Sequence, residues 1–152
     1  MLTGEFRVAI DEKGRLLVPA RLRAEIPGNT LVITRGIENC LWVFPPEEWG
    51  RIADSLMRAA SPFQHKARLL QRHIIAPAQD IELDKTGRLN LPASLQESAG
   101  LGRECVMLGL MKYMEIWDVE AYQAYTASTE DEFKNAAEEL GGSVSFLGPE
   151  PE

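Results

Sequence analysis

The chain has 152 residues and 45% hydrophobic content, which is enough for one compact unit or two small ones. It shows no signal-peptide pattern, no apolar run of membrane-spanning length and no cysteine framework, so we expect a cytoplasmic protein with two buried, reduced thiols and no membrane segment. The net charge of −7 is uneven: residues 115–152 hold ten acids and one base (−9), which leaves +2 for the first 114 residues and permits an anion-binding surface there.

The first part of the chain predicts short strands joined by turns. The segment EFRVAID alternates apolar and polar residues, as a half-buried strand does, and DEKGR, from Asp11 to Arg15, has the composition of a turn. A short strand, RLLVP, and a short helix, ARLRAEI, are expected next. The segments NTLVITRG and CLWVFP then predict a second pair of strands.

Two helices are predicted in the middle of the chain, PEEWGRIADSLMRAA and SPFQHKARLLQRHII. The second has a start signal, with Ser61 as N-cap, Pro62 at the first helical position and Gln64 three residues after the serine. Its mixture of bases and leucines favours an amphipathic helix that covers the strands over a helix that contacts nucleic acid.

The strand and turn pattern then returns. The segments DIELD, DKTGR, RLNLP, ASLQESA, ECVMLGL and MEIWD repeat the order of strand, turn, strand, helix and strand pair. A helix VEAYQAYTA and a second helix TEDEFKNAAEEL should follow, the latter with Thr129 as N-cap and Glu132 as its capping-box partner. The last segment, GGSVSFLGPEPE, is expected to be a loose tail.

These two halves form an internal repeat. An ungapped alignment at an offset of 73, from position 11 against 84 to position 49 against 122, gives nine identities in 39 pairs. Large aromatic residues fall at repeat-related positions, where we expect packing in the core or between chains; they are Trp42, Trp49, Trp117 and Tyr122.

The turn sequence Asp-x-x-Gly-Arg occurs once in each copy and carries the clearest chemistry. Its members are Asp11 and Asp84, Gly14 and Gly87, and Arg15 and Arg88. A hairpin turn alone can explain the aspartate, which accepts backbone N–H groups, and the glycine, which tolerates positive φ. It does not require the arginine. A guanidinium oriented by a neighbouring carboxylate is suited to bind phosphates or the edge of a guanine.

The sequence contains no catalytic pattern, so we expect neither an enzyme nor a bound metal or cofactor. His65 and His73 lie in a predicted helix without Cys, Asp or Glu at ligand spacing. Asp11 and Asp84 are each followed four residues later by an arginine, which would keep them ionised and unsuited to act as general acids. Nucleophile-elbow, phosphate-loop and dinucleotide fingerprints are absent.

The doubled D-x-x-G-R-hydrophobic-x-hydrophobic-P-A box, the run LVITRGIENCLWVFPPEEW and its counterpart CVMLGLMKYMEIWD resemble the bacterial MraZ family. The resemblance implies an α+β, mostly β fold, with two tandem AbrB-like swapped-hairpin β-barrel repeats and flanking helices. The implied ranges are 1–50 for the first repeat, 51–76 for the inter-repeat helices, 77–123 for the second repeat and 124–152 for an acidic C-terminal helix and tail. Three residues depart from the family pattern, Gln96 in place of a base and Ile74 and Ile75 in place of aromatics.

The resemblance also implies a function and its residues. The family consists of sequence-specific DNA-binding transcriptional regulators of the division and cell wall gene cluster, which assemble as ring-shaped, octameric homo-oligomers and associate with the nucleoid. The expected partner is double-stranded DNA at promoter repeats. We expect Arg15 and Arg88 to read or clamp DNA and Lys13 and Lys85 to meet phosphates. The turn-organising residues would be Asp11, Gly14, Asp84 and Gly87.

Two other functions remain open from the sequence. The chain could be a non-catalytic, ring-forming scaffold that binds other proteins through its acidic C-terminal helix. It could also be an antitoxin-like module, in which the tail is the toxin-binding arm.

Overall fold

The computed structural model of the protein describes residues 1–59 and 61–143. The chain divides into two compact units, the first from Met1 to Val119 and the second from Glu120 onward. All eight strands of the described residues and both copies of the turn motif belong to the first unit. Within the described ranges, no helix has both the length and the hydropathy needed to cross a membrane.

The first copy contains the five elements that its sequence predicts. They are β1 (Thr3–Ala9), β2 (Arg15–Leu17), α1 (Ala20–Arg23), β3 (Thr30–Arg35) and β4 (Leu41–Phe44). Strand β1 alternates half-buried and exposed residues, as the sequence pattern indicates, whereas β3 is buried at four consecutive positions. Both faces of strand β3 are therefore covered.

Helices α2 (Pro46–Ala59) and α3 (His65–Leu70) follow, and α3 continues as a π-helical turn, Gln71–Ile75. The predicted start of α3 at Ser61 is wrong. The carbonyl of Ser61 accepts a hydrogen bond from the backbone N–H of Gln64 at 3.0 Å and closes an isolated turn. Gln64 then has extended backbone angles, φ −97° and ψ 130°, so the helix begins only at His65.

The second copy repeats the first. Its elements are β5 (Gln79–Glu82), β6 (Arg88–Asn90), α4 (Ala93–Ser98), β7 (Glu104–Leu110) and β8 (Met114–Asp118). The sequence predicts each of them, and only the bounds differ by a few residues.

The C-terminal helices are α5 (Val119–Ser128) and α6 (Glu130–Ser143). Thr129 does not cap α6 as predicted, because its N–H and its hydroxyl both donate to the carbonyl of Tyr125, at 3.0 and 2.7 Å. Helical hydrogen bonding therefore runs through Thr129. Residues 141–143 of the predicted tail belong to α6, and the rest of that tail lies outside the described residues.

The two copies are interleaved in the sheets. The larger sheet has the order β1-β7-β8-β4-β3-β5, and all its neighbouring strands are antiparallel. Strand β1 of the first copy thus pairs with β7 of the second, and β5 of the second pairs with β3 of the first. The predicted β-barrels are not confirmed, because the sheet is open between its edge strands, β1 and β5. The chain is not mostly β either, with 41% helix and 28% strand.

The strand register corrects the ungapped alignment of the copies. Val32 lies opposite Phe44 in the first copy, and Val106 lies opposite Trp117 in the second. Phe44 and Trp117 correspond at the predicted offset of 73, but Val32 and Val106 correspond at 74. The connection from α4 to β7 is therefore one residue longer than its counterpart, and the β7–β8 turn is one residue shorter.

One hydrophobic core holds the interleaved strands together. Its fully buried members come from both copies: Leu16, Val18, Leu22, Leu31, Ile33, Leu41, Val43, Leu89, Cys105, Met107, Met114 and Ile116. Trp117 is only 3% exposed, so it lies in the core of its own chain. Cys40 and Cys105 are buried and unpaired, in agreement with the prediction of buried thiols.

Candidate nucleic-acid interface

The first Asp-x-x-Gly-Arg turn is built around the carboxylate of Asp11. Its Oδ1 accepts hydrogen bonds from the backbone N–H groups of Lys13 and Arg15, both at 2.9 Å, and its Oδ2 accepts Nε of Arg15 at 2.9 Å. The backbone closes on itself, since Gly14 N donates to Asp11 O at 3.0 Å, with Gly14 at φ 78°. Asp11 and Gly14 thus have the turn roles that the sequence predicts, and the carboxylate of Asp11 also binds the guanidinium of Arg15.

The second turn has the same geometry. Asp84 Oδ1 accepts the N–H groups of Thr86 and Arg88 at 2.9 and 3.0 Å, and Oδ2 accepts Arg88 Nε at 2.8 Å. Gly87 N donates to Asp84 O at 2.9 Å, and its φ is 91°. In both turns the carboxylate uses only Nε of the guanidinium, which leaves the two terminal nitrogens of each arginine for an acceptor outside the turn.

The hydrogen bonds also set the charge of the aspartates. The backbone N–H of Arg15 and then its side chain hold the pKa of the Asp11 carboxyl below its usual value. Arg88 acts on the pKa of Asp84 in the same way, again chiefly through its backbone N–H. Both carboxylates are therefore ionised at neutral pH and hold their arginines in a fixed direction.

A short ladder between β2 and β6 brings the turns together. Its pairs are Arg15 with Asn90, Leu16 with Leu89, and Leu17 with Arg88. Directly paired residues of an antiparallel ladder project from the same face, so Arg15 and Arg88 share one face while Leu16 and Leu89, both fully buried, share the other. The arginines are diagonal neighbours on that face, with roughly 7–8 Å between their positions.

The two predicted lysines are exposed but are not structural equivalents. Lys13 donates its backbone N–H to Asp11, whereas the residue that does so in the second turn is Thr86. Lys85 is one position earlier in its turn. The structure thus brings Arg15 and Arg88 to one face and leaves Lys13 and Lys85 at different places on the rims of the two turns.

Sequence reasoning missed two residues that lie against the turns. Arg23, on α1, donates from Nη1 to the carbonyl of Thr86 at 2.9 Å, across 63 residues of sequence. Gln96 holds the equivalent place on α4, where Nε2 donates to Leu91 O at 2.9 Å and lies close to Gly14. Their equivalence at the 73-residue offset is visible in the sequence, but it does not show which turn each side chain contacts.

A second polar cluster lies away from the turns. Within the described ranges, Glu38, Cys40 and Glu115 place possible ligand atoms within 4.8 Å of one another. The carboxylate of Glu115 is already bound by the indole N–H groups of Trp42 and Trp117, each at 3.0 Å. Burial raises the pKa of the Cys40 thiol well above its usual value, which keeps it protonated. The two indole contacts give Glu115 a structural role in this cluster.

Comparison with known proteins identifies the family. The family model described as "MraZ protein, putative antitoxin-like" matches twice, at residues 1–73 and 74–142, which confirms the internal repeat. The chain is 48% identical over 140 residues to the Transcriptional regulator MraZ of Treponema denticola, across 92% of this chain and 97% of that protein. It is 46% identical to the protein of that name from Treponema pallidum (91% and 93% coverage) and 39% identical to that of Limosilactobacillus reuteri (92% and 97%). The chain therefore belongs to the MraZ family.

Proposed function

We propose that this chain is a sequence-specific DNA-binding transcriptional regulator that contacts double-stranded DNA through its two arginine-bearing turns. The observation that carries the proposal is the common face of Arg15 and Arg88 on the β2–β6 ladder. The names of the relatives, which are transcriptional regulators, support the same function.

The chemistry of the turns suits DNA. Each guanidinium is held through Nε by an ionised carboxylate, so its two terminal N–H groups have a fixed orientation. A pre-oriented guanidinium loses little freedom when it binds the O6 and N7 acceptors of a guanine or a phosphate. The side chains of Arg15 and Arg88 are 29% and 31% exposed, so each remains partly accessible to a ligand.

The test is DNA binding by the Arg15→Ala/Arg88→Ala double variant. We expect it to lose affinity for promoter DNA upstream of its own gene, measured by fluorescence anisotropy and footprinting. The matched control is Arg51→Ala/Arg58→Ala, which removes the same charge from exposed ion pairs on α2. Circular dichroism and light scattering must show that both variants keep the fold and the mass of the parent. Parent-like binding by the first double variant would mean that the arginines only brace their turns.

The interleaved strands support the more detailed fold proposal. Exchange of β1 and β5 between the copies, together with the β2–β6 ladder, is the pairing that a swapped-hairpin, AbrB-type module requires. We infer that the two copies form one such module. In the same proposal the regulated genes are the division and cell wall cluster, and the protein is cytoplasmic and associated with the nucleoid.

Exposed apolar side chains support the proposal of a ring-shaped, octameric homo-oligomer. On and between α2 and α3 the exposed large residues are Ile52, Met57, Phe63, Leu69 and Leu70, and Phe63 is 93% exposed. Apolar surface of this kind is typical of an interface between chains. Light scattering at micromolar concentration should give a mass several times that of one chain, and a mass of 16.9 kDa would contradict assembly.

The antitoxin-like function remains the second candidate, because the family description includes that term. The acidic helix α6, with Glu130, Asp131 and Glu132 in its first turn, would then bind a basic partner protein. Deletion of residues 130–152 separates the two functions. Promoter binding should survive this deletion if the turns bind DNA.

A further inference from the structure

The two turns are not equally supported by their neighbouring helices. Arg23 of the first copy reaches the turn of the second copy, where it donates to Thr86 O and lies so close to Gly87 that a Cβ there would meet its side chain. Its repeat-equivalent, Gln96, donates instead to Leu91 O, five residues earlier in its own copy. Gln96 is 3.0 Å from the place of a Cβ on Gly14. The same position thus carries a cation beside one turn and a neutral amide beside the other.

The turn sequences add to this difference in charge. The first turn, together with Gln96, has two acids, Asp11 and Glu12, and two bases, Lys13 and Arg15, which sum to zero. The second turn, together with Arg23, has one acid and three bases, which sum to +2; they are Asp84, Lys85, Arg88 and Arg23. Arg103 lines the same cleft as Asp11, Glu12 and Gln96, and if it is counted the charge of the first turn reaches +1. The second turn remains the more positive one.

We propose that the two turns are unequal DNA-binding units, and that Arg23 makes the second turn the stronger by adding a cation and by holding its backbone. The proposal rests on the DNA-binding function proposed above. A third cation next to Lys85 and Arg88 would raise the number of phosphates that this turn neutralises, and each neutralised phosphate adds affinity and salt dependence. Arg23 is thus a positioning residue for the turn and a contributor to its electrostatic field.

Glutamine is a suitable neutral replacement at position 23. Gln96 shows that a glutamine fits the equivalent place on α4 beside a glycine of the same turn type. The Nε atom of Arg23 is buried, and no hydrogen-bond partner is found for it in the part of the chain that the structure describes. Since Nε has no partner, no other buried group loses a hydrogen bond to Nε when glutamine replaces Arg23.

The experiment compares reciprocal variants in the full-length protein. The probe is a promoter duplex from upstream of its own gene, and affinity is measured from about 50 to 200 mM salt. Arg23→Gln should weaken binding by about three- to tenfold and reduce the log-log salt slope by about 0.9 for each phosphate that is no longer neutralised. Gln96→Arg, which faces an open cleft beside the first turn, should change both quantities in the opposite direction. Arg58→Gln is the control for the same change of charge on α2.

Two further comparisons distinguish the two proposed roles of Arg23, which are to add a positive charge and to hold the backbone of the second turn. Arg88→Ala should cost more affinity than Arg15→Ala, because the second turn is the stronger one. Arg23→Lys keeps the charge and should restore the salt slope. If Arg23→Gln binds within twofold of the parent with the same slope while Arg88→Ala binds weakly, the inference is wrong and the proposed function stands. If the slope falls with Arg23→Gln and Arg23→Lys does not restore it, the role of the charge is refuted. If neither Arg15→Ala nor Arg88→Ala has an effect, the proposed function itself fails.

Discussion

Trp42 and Glu115 occupy the same position in the two copies, 73 residues apart, and lie opposite each other on β4 and β8. The indole N–H of Trp42 donates to Glu115 Oε2 at 3.0 Å. Leu16 and Leu89 are also repeat-equivalent, and they pair on β2 and β6. When equivalent residues pair in an antiparallel ladder, the local two-fold axis passes between them. The axis that relates the copies therefore passes through both pairs, so the candidate interface is centred on it.

Glu115 should contribute strongly to stability. Its carboxylate accepts the indole N–H groups of Trp42 and Trp117, and replacement by alanine would leave both donors without this acceptor. We expect Glu115→Ala to lower the free energy of unfolding by about 1–3 kcal/mol. Glu115→Gln keeps one acceptor oxygen and should therefore lose less stability than Glu115→Ala. Urea unfolding, followed by tryptophan fluorescence, measures both.

The control for this prediction is Glu104→Ala, which removes an exposed glutamate from β7. An exposed substitution of this kind should change the unfolding free energy by no more than about 0.5 kcal/mol. If Glu115→Ala were as mild as the control, the two indole hydrogen bonds would not matter for stability.

The local elements could be predicted from the sequence, and their partners could not. The period of two in β1 and the turn chemistry of Asp11 to Arg15 are local properties, and the structure confirms both. The partner of β1 is β7, about a hundred residues away along the chain, and no local pattern encodes that choice. The capping signals at Ser61 and Thr129 failed although residues of the capping-box type were present. The backbone makes an isolated turn at Ser61, and helical hydrogen bonds continue across Thr129 between α5 and α6.

Gly87 should tolerate alanine less well than Gly14. Both have positive φ, which costs an alanine about 1–2 kcal/mol. At Gly87 the added Cβ would also lie within 2.6 Å of Arg23 Cδ, and Arg23 is held by its bond to Thr86 O. We expect this overlap to add about 1–3 kcal/mol to the loss of stability, as measured by urea unfolding.

Gly28→Ala is a matched control, since Gly28 has φ 74° and nothing within 4 Å of an added Cβ. It reports the backbone cost alone. In a double-mutant cycle, Arg23→Ala should remove most of the excess cost of Gly87→Ala. Equal losses for Gly87→Ala and Gly28→Ala would show that Arg23 moves aside freely.

The turn aspartates should make stability depend on pH in the acid range. The pKa values of Asp11 and Asp84 are lower in the folded protein than the ordinary 3.8, chiefly because backbone N–H groups of Arg15 and Arg88 bind the carboxylates. Such a group stabilises the fold above its unfolded pKa, and this stability is lost as the pH falls through the lower folded pKa. The parent should therefore lose more stability between about pH 5 and pH 2 than Asp11→Asn/Asp84→Asn does.

Urea midpoints measured across that pH range provide the check. The curves of the parent and the double variant should converge at the acid end, where both aspartates of the parent are protonated. Asp54→Asn is the control, because Asp54 forms an exposed ion pair with Arg58 on α2, and such pairs contribute little. Parallel curves for the parent and Asp11→Asn/Asp84→Asn would contradict the prediction.

Only part of the candidate site could be predicted from the sequence. Asp11, Gly14 and Arg15 lie within five residues and could be interpreted as one turn. Arg23 could not be assigned to it, because the turn that it contacts belongs to the other copy. A contact from a helix of one copy to the turn of the other follows from the interleaved strands. It can therefore be predicted only once the sheet topology is known.

Lys13 and Arg15 should have separable effects on DNA binding. If Lys13 contacts only phosphate, Lys13→Ala should weaken promoter and unrelated DNA alike and reduce the log-log salt slope by about 0.9 for each phosphate that Lys13 neutralises. If Arg15 reaches a guanine edge, Arg15→Ala should cost about 1–3 kcal/mol per base contact on promoter DNA and much less on unrelated DNA. Lys66→Ala, an exposed lysine on α3, controls for the loss of one positive charge. Anisotropy titrations on both duplexes at several salt concentrations separate the two effects. An equal loss on both DNAs for Arg15→Ala would make that arginine a phosphate contact and would place sequence recognition elsewhere on the chain.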